Sequence, residues 1–366
     1  MPMNDQPDQP TVAAGYPTHC WNCGYPLGVW SFECPGCGAN NTPLSSHNGG
    51  QTMSNSWNNY SLGGCLFEEA PKPAPLLAAP SVTLPERIDL RIHCSPVEDQ
   101  LTTNSCVANA VIGALELHQK KAGLPLTDLS RLFVYYNARS LSGTEGQDTG
   151  SFIHHGMAAI LAYGACEARL WPFEKAMVTV QPPANCYQNA SQYEAVQYAR
   201  TPRGVPALTV LAQGLPVVFG MFAPGEYYQI AAQTGVMPKP DQVVTTQPPS
   251  GHAMLIVGYD LADKTYLVRN SWSEKWADRG YFRIPFETMD AWTKTEDFWT
   301  IGAIEQAEGF KLTGPSMIDS MKGVGVTPEV LQAGGSRLDR LRSDLRSRLS
   351  SDLESAKRDF RSRLRD

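Results

Sequence analysis

Apolar positions recur along this chain with two different periods. From Ser105 to Lys121, Val107, Ala110, Val111, Ala114, Leu115 and His118 fall three or four residues apart, and Gly123 and Pro125 close the run. That spacing predicts a core-facing helix with Cys106 at its very start. Two further helical stretches are expected, from Ile153 to Tyr163 and around Gln192 to Ala199. Everything after Pro216 reads as strand: Val217-Val218-Phe219, Met254 to Tyr259, Thr265 to Arg269 and Gly280 to Ile284 are short β-rich runs separated by turn residues. Helices in the first half and strands in the second predict an α+β domain with two unlike lobes, placed at residues 85–306.

The flanks have a different texture. Residues 41–84 are first Ser/Asn/Gly-rich and then Pro/Ala-rich, without helical or strand periodicity, and read as a flexible linker. A second, Gly-rich linker is expected over 307–335. Beyond it, residues 336–366 carry Leu338, Leu341, Leu345, Leu349, Leu353, Ala356, Phe360 and Leu364 with no Gly or Pro between them. This period, slightly longer than a heptad's, predicts one long amphipathic C-terminal helix. Ten Arg/Lys and six Asp/Glu make that segment basic, although the whole chain is formally -6.

An acidic balance gives no reason to expect a nucleic-acid partner. At 366 residues with 42% hydrophobic content, the chain is long enough to bury a sizeable core. Its longest apolar runs, such as Met254-Leu255-Ile256-Val257, are strand-sized and far short of the roughly 20 residues that span a bilayer. The first twenty residues lack the basic start and apolar stretch of a secretory signal, so a reducing cytoplasm is the expected location. In that setting nine cysteines are better assigned to metal binding and catalysis than to disulfides. Four of them form two C-x2-C pairs, Cys20/Cys23 and Cys34/Cys37, each followed by glycine. Residues 1–40 accordingly look like a zinc ribbon with four thiolate ligands, a closed structural site without an open coordination position, while redox dithiols or an iron site remain alternatives.

The chemistry is carried by four residues in order. Gln100 precedes Cys106 by six positions in Ser95-Pro96-Val97-Glu98-Asp99-Gln100 and Asn104-Ser105-Cys106-Val107-Ala108-Asn109-Ala110. Gly251-His252-Ala253 opens an apolar strand, and Leu267-Val268-Arg269-Asn270-Ser271-Trp272 follows. These segments, with Gly280-Tyr281-Phe282-Arg283-Ile284, resemble the papain-like cysteine peptidases, particularly bacterial members, over roughly residues 84–305. The resemblance implies a papain-like two-lobed fold, a helical lobe beside a β-barrel-like lobe, that needs no catalytic cofactor. It implies Cys106 as nucleophile, His252 as general base and then acid, Asn270 as the group orienting the imidazole, and Gln100 in the oxyanion hole. Asp148, Thr149, Gly150 and Ser151 resemble the edge lining the substrate cleft, and Trp272 the shield over the His–Asn bond. A helix N-terminus favours thiolate, which agrees with Cys106 as nucleophile.

There are departures from the pattern. Val107 stands where many relatives have an aromatic residue, Thr103 replaces a cysteine usually found three residues before the nucleophile, and Ser273 and Ala277 replace glycines, which implies an altered loop path. A cysteine at a helix start is, taken alone, usually a small buried hydrophobe; its three companions are what single Cys106 out. Lacking such companions, His93, His154 and His155 are expected to be structural or exposed, and Cys65, Cys94, Cys166 and Cys186 free thiols, with one pair open to bridging. The expected partners are a peptide or protein substrate, a protein partner or second copy docking on the ribbon and tail helix, or a membrane surface meeting the helix. Endopeptidase activity is the main expectation. An exopeptidase, amidase or transpeptidase on the same scaffold, or a silent peptide-binding protein, are the alternatives. No long inhibitory propeptide is recognisable before Glu86, so part of Ser61 to Pro85 is expected to occupy the cleft or be cut in activation.

Overall fold

The computed structural model describes residues 60–67, 83–293 and 297–305. The expected zinc ribbon with Cys20, Cys23, Cys34 and Cys37, the Gly-rich linker and the C-terminal helix lie outside these residues. The described part belongs to one compact unit, and no helix in it is long and apolar enough to cross a membrane.

Its centre is α1 (Cys106–Lys121), buried from Cys106 through Gln119. The sequence pattern marks one apolar face, but the helix is covered on every side: α2 (Arg131–Ser140) and α3 (Ile153–Ala162) pack on it from one direction, and the sheet closes the other. Its polar residues are therefore satisfied internally. Glu116 accepts from Ser95 Oγ at 2.5 Å, Leu129 N–H at 3.0 Å and Arg131 Nη2 at 3.0 Å, and Arg131 also meets Glu98 and Asp128. A buried carboxylate is tolerable only with such a set of donors.

The sheet runs in the order β4 (Glu194–Arg200), β9 (Phe298–Glu305), β5 (Val217–Ala223), β6 (Ser250–Asp260), β7 (Thr265–Arg269) and β8 (Tyr281–Pro285). All these neighbours are antiparallel, and β2 (Arg87–Asp89) pairs with the far end of β6. β6 and β7 are buried almost throughout, as central strands under a helix must be. Two features set the site: α1 points its N-terminus at the sheet, and β6 carries His252 opposite Met221 of β5.

Three sequence expectations are corrected. Gln192 to Ala199 is not helical; Glu194–Arg200 is β4, paired along β9. The helix lies just before it, as α4 (Ala184–Ala190). Nor is everything after Pro216 strand, because α6 (Gly225–Thr234) and α7 (Phe286–Trp292) interrupt it, the former ending on Gly235 in the left-handed region. Tertiary pairing with β9 overrode local propensity in the first case. Finally, Tyr60–Phe67 sits within the stretch read as linker, yet it includes β1 (Cys65–Leu66), which pairs in parallel with β3 (Ser151–Phe152). The helix α2 and the short α5 (Val205–Ala212) were not anticipated.

Candidate active site

Cys106 is the first residue of α1 and wholly buried. Its Sγ accepts the Ala253 N–H at 3.4 Å, which places the thiol beside the residue following His252 on β6. His252, also fully buried, has Nε2 2.8 Å from Asn270 Oδ1. That oxygen also accepts the Ser271 N–H at 2.8 Å, so the amide cannot be flipped and Nε2 must be the protonated nitrogen. The tautomer leaves Nδ1 as the basic nitrogen, and it has no hydrogen-bond partner among the described residues. Trp272 stacks on the imidazole with centroids 4.7 Å apart and an interplanar angle of 25°, excluding water from the His–Asn bond.

Gln100 is held by both ends of its amide: Nε2 donates to Thr103 O at 2.9 Å and Oε1 accepts Ser271 Oγ at 2.6 Å. Ser271 and Thr103 thus fix a group that sequence reasoning named without its supports. Asp148 ties down the loop before Cys106, its Oδ1 accepting from Asn104 N–H at 3.0 Å and Tyr135 OH at 2.5 Å. Gly150 and Ser151 border the site, the Gly150 N–H being held by Tyr135 OH at 2.9 Å, and Thr149 lies between them and Asp148. The loop after Trp272 keeps left-handed backbone at Ser273 (φ 64°) and Ala277 (φ 44°), conformations that glycine would adopt without strain.

Across this arrangement lies a strap of the same chain. The Gly64 carbonyl accepts the Ser151 N–H at 3.0 Å. A Cβ added to Gly64 would stand 2.7 Å from Cys106 Sγ and 2.6 Å from Asn104 O, so the strap presses bare backbone onto the Cys106 thiol. Upstream, Tyr60 stacks on Trp272 at 5.2 Å and 11°, its hydroxyl donating to Trp272 O at 3.1 Å. Downstream, the Cys65 thiol and Phe67 ring fill the space left by the missing side chain of Gly220, next to the Asp297 carboxylate.

Under the strap the pair is neutral. Burial pushes the Cys106 thiol up to about 12, against the pull of its backbone donors, including the Ala253 N–H. Burial likewise holds His252 down at about 4, opposed by its bond to Asn270. The expectation that the helix N-terminus favours thiolate is thus outweighed here by desolvation. Re-admitting water or substrate to the cleft removes the dominant opposing cause.

Residues 84–296 match the papain family cysteine proteases. The chain belongs to that family. A peptidase C1-like protein of Acanthamoeba polyphaga mimivirus is 33% identical over 218 residues, covering 56% of this chain and 68% of its own length. The structure of xylellain, a cysteine protease from Xylella fastidiosa, superposes with a TM-score of 0.60 at 27% identity, covering 68% of this chain and 98% of that one. The digestive procathepsin L2 proteinase of Tenebrio molitor shares the fold at a TM-score of 0.52 and 20% identity. The protein is therefore a papain-family cysteine protease acting on peptide or protein substrates, and such chemistry needs no catalytic cofactor. Among the described residues no group of three or more His, Cys, Asp or Glu could hold a metal ion.

Part of Ser61 to Pro85 was expected to occupy the cleft, and Ser61–Phe67 lies there; what the sequence missed around the site are the upstream Tyr60 contact on Trp272, the supports Thr103 and Ser271, and Tyr228 on α6. Tyr228 packs edge-on against His252 and tilted against Trp272. Gly63-Gly64 was the available signal for where the segment crosses the thiol, since adjacent glycines mark a close backbone approach as readily as a flexible linker.

Proposed function

We propose that the chain is a cysteine endopeptidase held latent by its own Tyr60–Phe67 strap, with Cys106 as nucleophile. The observation that carries this reading is the alignment of Cys106 Sγ on the Ala253 N–H, one residue from a histidine whose tautomer is fixed by Asn270. Once the strap leaves, His252 Nδ1 takes the thiol proton. Sγ then attacks the scissile carbonyl carbon, and the carbonyl π pair moves to oxygen, where the Cys106 N–H and the Gln100 amide receive it. His252 returns the proton to the departing nitrogen as the C–N bond breaks, and water attacks the thioester by the reverse sequence. Asn270 keeps the ring in register throughout. Ser151, paired with Gly64 O in the closed form, presents the backbone on which a substrate strand adds, flanked by Asp148, Thr149, Gly150 and Trp272. Loss of peptide hydrolysis in Cys106→Ala, with an unchanged melting temperature, is the expected test; undiminished turnover would overturn the assignment.

The flanking modules complete the proposal. Cys20, Cys23, Cys34 and Cys37 would hold one structural zinc, a reading supported by their paired spacing and glycines. One zinc per chain by elemental analysis, lost on Cys23→Ser, is expected. The basic, leucine-striped 336–366 segment suits docking on a protein partner or second copy, its interspersed acids favouring salt-bridge matching over a lipid surface. The likeness to xylellain, a cysteine protease from Xylella fastidiosa, supports a bacterial-type member.

A further inference from the structure

Two glycines of the sheet face the strap. Gly220 of β5 lies opposite Ala253 of β6, and Phe222 opposite Gly251, so these four positions share one face, beside the Ala253 N–H that meets Cys106 Sγ. A Cβ on Gly220 would stand 2.7 Å from Phe67 Cε1, 2.9 Å from Cys65 Sγ and 3.0 Å from Asp297 Oδ2, and one on Gly251 would stand 2.9 Å from Phe67 Cε2. The two missing side chains thus open a recess that the strap fills with one ring and one thiol. Phe222, half exposed, walls it and meets Phe67 edge-on at 6.0 Å and 76°. At the Gly220 end stands a carboxylate. Asp297 Oδ1 accepts the indole N–H of the buried Trp299 at 2.8 Å, and Asp297 O accepts the Gly220 N–H at 3.4 Å. The residue is therefore anchored, with Oδ2 the oxygen turned to the recess. Burial, and after it the Asp297 charge, pushes the Cys65 thiol well above its usual range.

We propose that Asp297 is a specificity-determining residue, and that this recess selects a lysine or arginine side chain on the acyl side of the scissile bond. The strap runs from Tyr60 on Trp272, past Gly64 at Cys106 Sγ, to Cys65 and Phe67 in the recess. Trp272 covers His252, which protonates the departing nitrogen, so the leaving portion of a substrate lies on the Trp272 side and the acyl portion on the side of the recess. With the strap gone, a long basic side chain lays its hydrocarbon stem over the two glycines and along the Phe222 ring, and its head donates to Asp297 Oδ2. The strap segment from Tyr60 to Phe67 contains no lysine or arginine, so a basic substrate side chain gains an attraction in this seat that the strap does not. An aliphatic side chain would desolvate the carboxylate without compensating it, and an acidic one would be repelled.

This inference rests on the peptidase reading, and the experiment separates the two. The full chain carrying Gly64→Ala, to free the cleft, is given peptides of one sequence in which each position on the acyl side carries lysine, norleucine or glutamate in turn, the cleaved bond being mapped by mass. The expected result is one position at which kcat/KM for lysine exceeds that for norleucine by roughly tenfold or more, with glutamate slowest. Adding Asp297→Asn, whose Oδ1 can still accept from Trp299, should bring the lysine-to-norleucine ratio at that position to within about twofold, while Asp297→Glu should keep the preference. Each ratio is read within one protein, so partial unfolding of a variant cancels. Hydrolysis without a lysine preference at any position, or a preference that survives Asp297→Asn, overturns the role of Asp297 and leaves the peptidase reading intact. No hydrolysis of any peptide overturns the peptidase reading, and this inference with it.

Discussion

A single carbon added at Gly64 should unseat the strap. The added Cβ would lie 2.6 Å from Asn104 O, 2.7 Å from Cys106 Sγ and 2.9 Å from Asn104 C. None of these atoms is the loose end of a flexible side chain: two are backbone held by Asp148, and the third is anchored at the start of α1. Relief must come from the strap. Overpacking of this kind costs about 1–3 kcal/mol, which corresponds to a roughly 5- to 150-fold larger opening constant. Gly63 provides the internal control, because its added Cβ would meet only Asn104 Oδ1, at an ordinary 3.7 Å. Both substitutions remove the same backbone freedom, so their comparison isolates the clash. The assay is the second-order rate of Cys106 modification by an epoxysuccinyl inhibitor at neutral pH. Gly64→Ala is expected to react at least fivefold faster than Gly63→Ala, which should stay close to the unsubstituted chain. Equal rates for all three would refute the reading of the strap as a plug over the nucleophile.

Four further outcomes follow from the same structure. The strap should open in acid: His252 sits near 4 in the closed form against an ordinary value of about 6.5, so closure is most favoured between that ordinary value and the free thiol's 9.0, and weakens as pH falls toward 4. Hydrogen-exchange protection of the Ser151 amide, which donates to Gly64 O, should fall by up to about tenfold per pH unit across that window, and constant protection would contradict it. Asn270→Ala, which frees the imidazole, should lower kcat/KM by about 10- to 100-fold with little change in melting temperature. Glu116→Ala leaves Arg131 with a buried, under-paired charge and should destabilise by about 3 kcal/mol in thermal or urea unfolding. Ala277→Gly, relieving a left-handed alanine at φ 44°, should stabilise by about 1 kcal/mol, whereas no change would mean that the loop is already relaxed.

How much of this was legible in the sequence depends on whether a feature is local. The helix carrying Cys106 was placed within a residue because its periodicity and its Gly/Pro stop are local signals. The strands β6, β7 and β8 were visible as β-rich runs between turn residues, although β6 extends four residues earlier, through His252 itself. By contrast, β4 exists because β9 pairs with it from the far end of the chain, and no window around Gln192 contains that information. The helices α6 and α7 are short and begin after prolines inside a strand-rich half, where a strand reading absorbed them. The structure brings Cys106, His252 and Asn270 together and ties Gln100 to the residue after Asn270, but the supports do not announce themselves: Ser271 acts on Gln100 across 171 positions. The neutral state of the Cys–His pair was likewise invisible, because it arises from burial beneath Tyr60–Phe67, and the expectation that part of Ser61 to Pro85 occupies the cleft did not say how completely it would exclude water.

The most direct test of the account is intact-mass analysis after treatment with an epoxysuccinyl inhibitor under reducing conditions, comparing the Gly64→Ala chain with its Cys106→Ala counterpart. One adduct on the first, mapped to Cys106, and none on the second is the expected result. Equal labelling of the two, or an adduct mapped to Cys65 or another thiol, would contradict the assignment of Cys106 as the nucleophile.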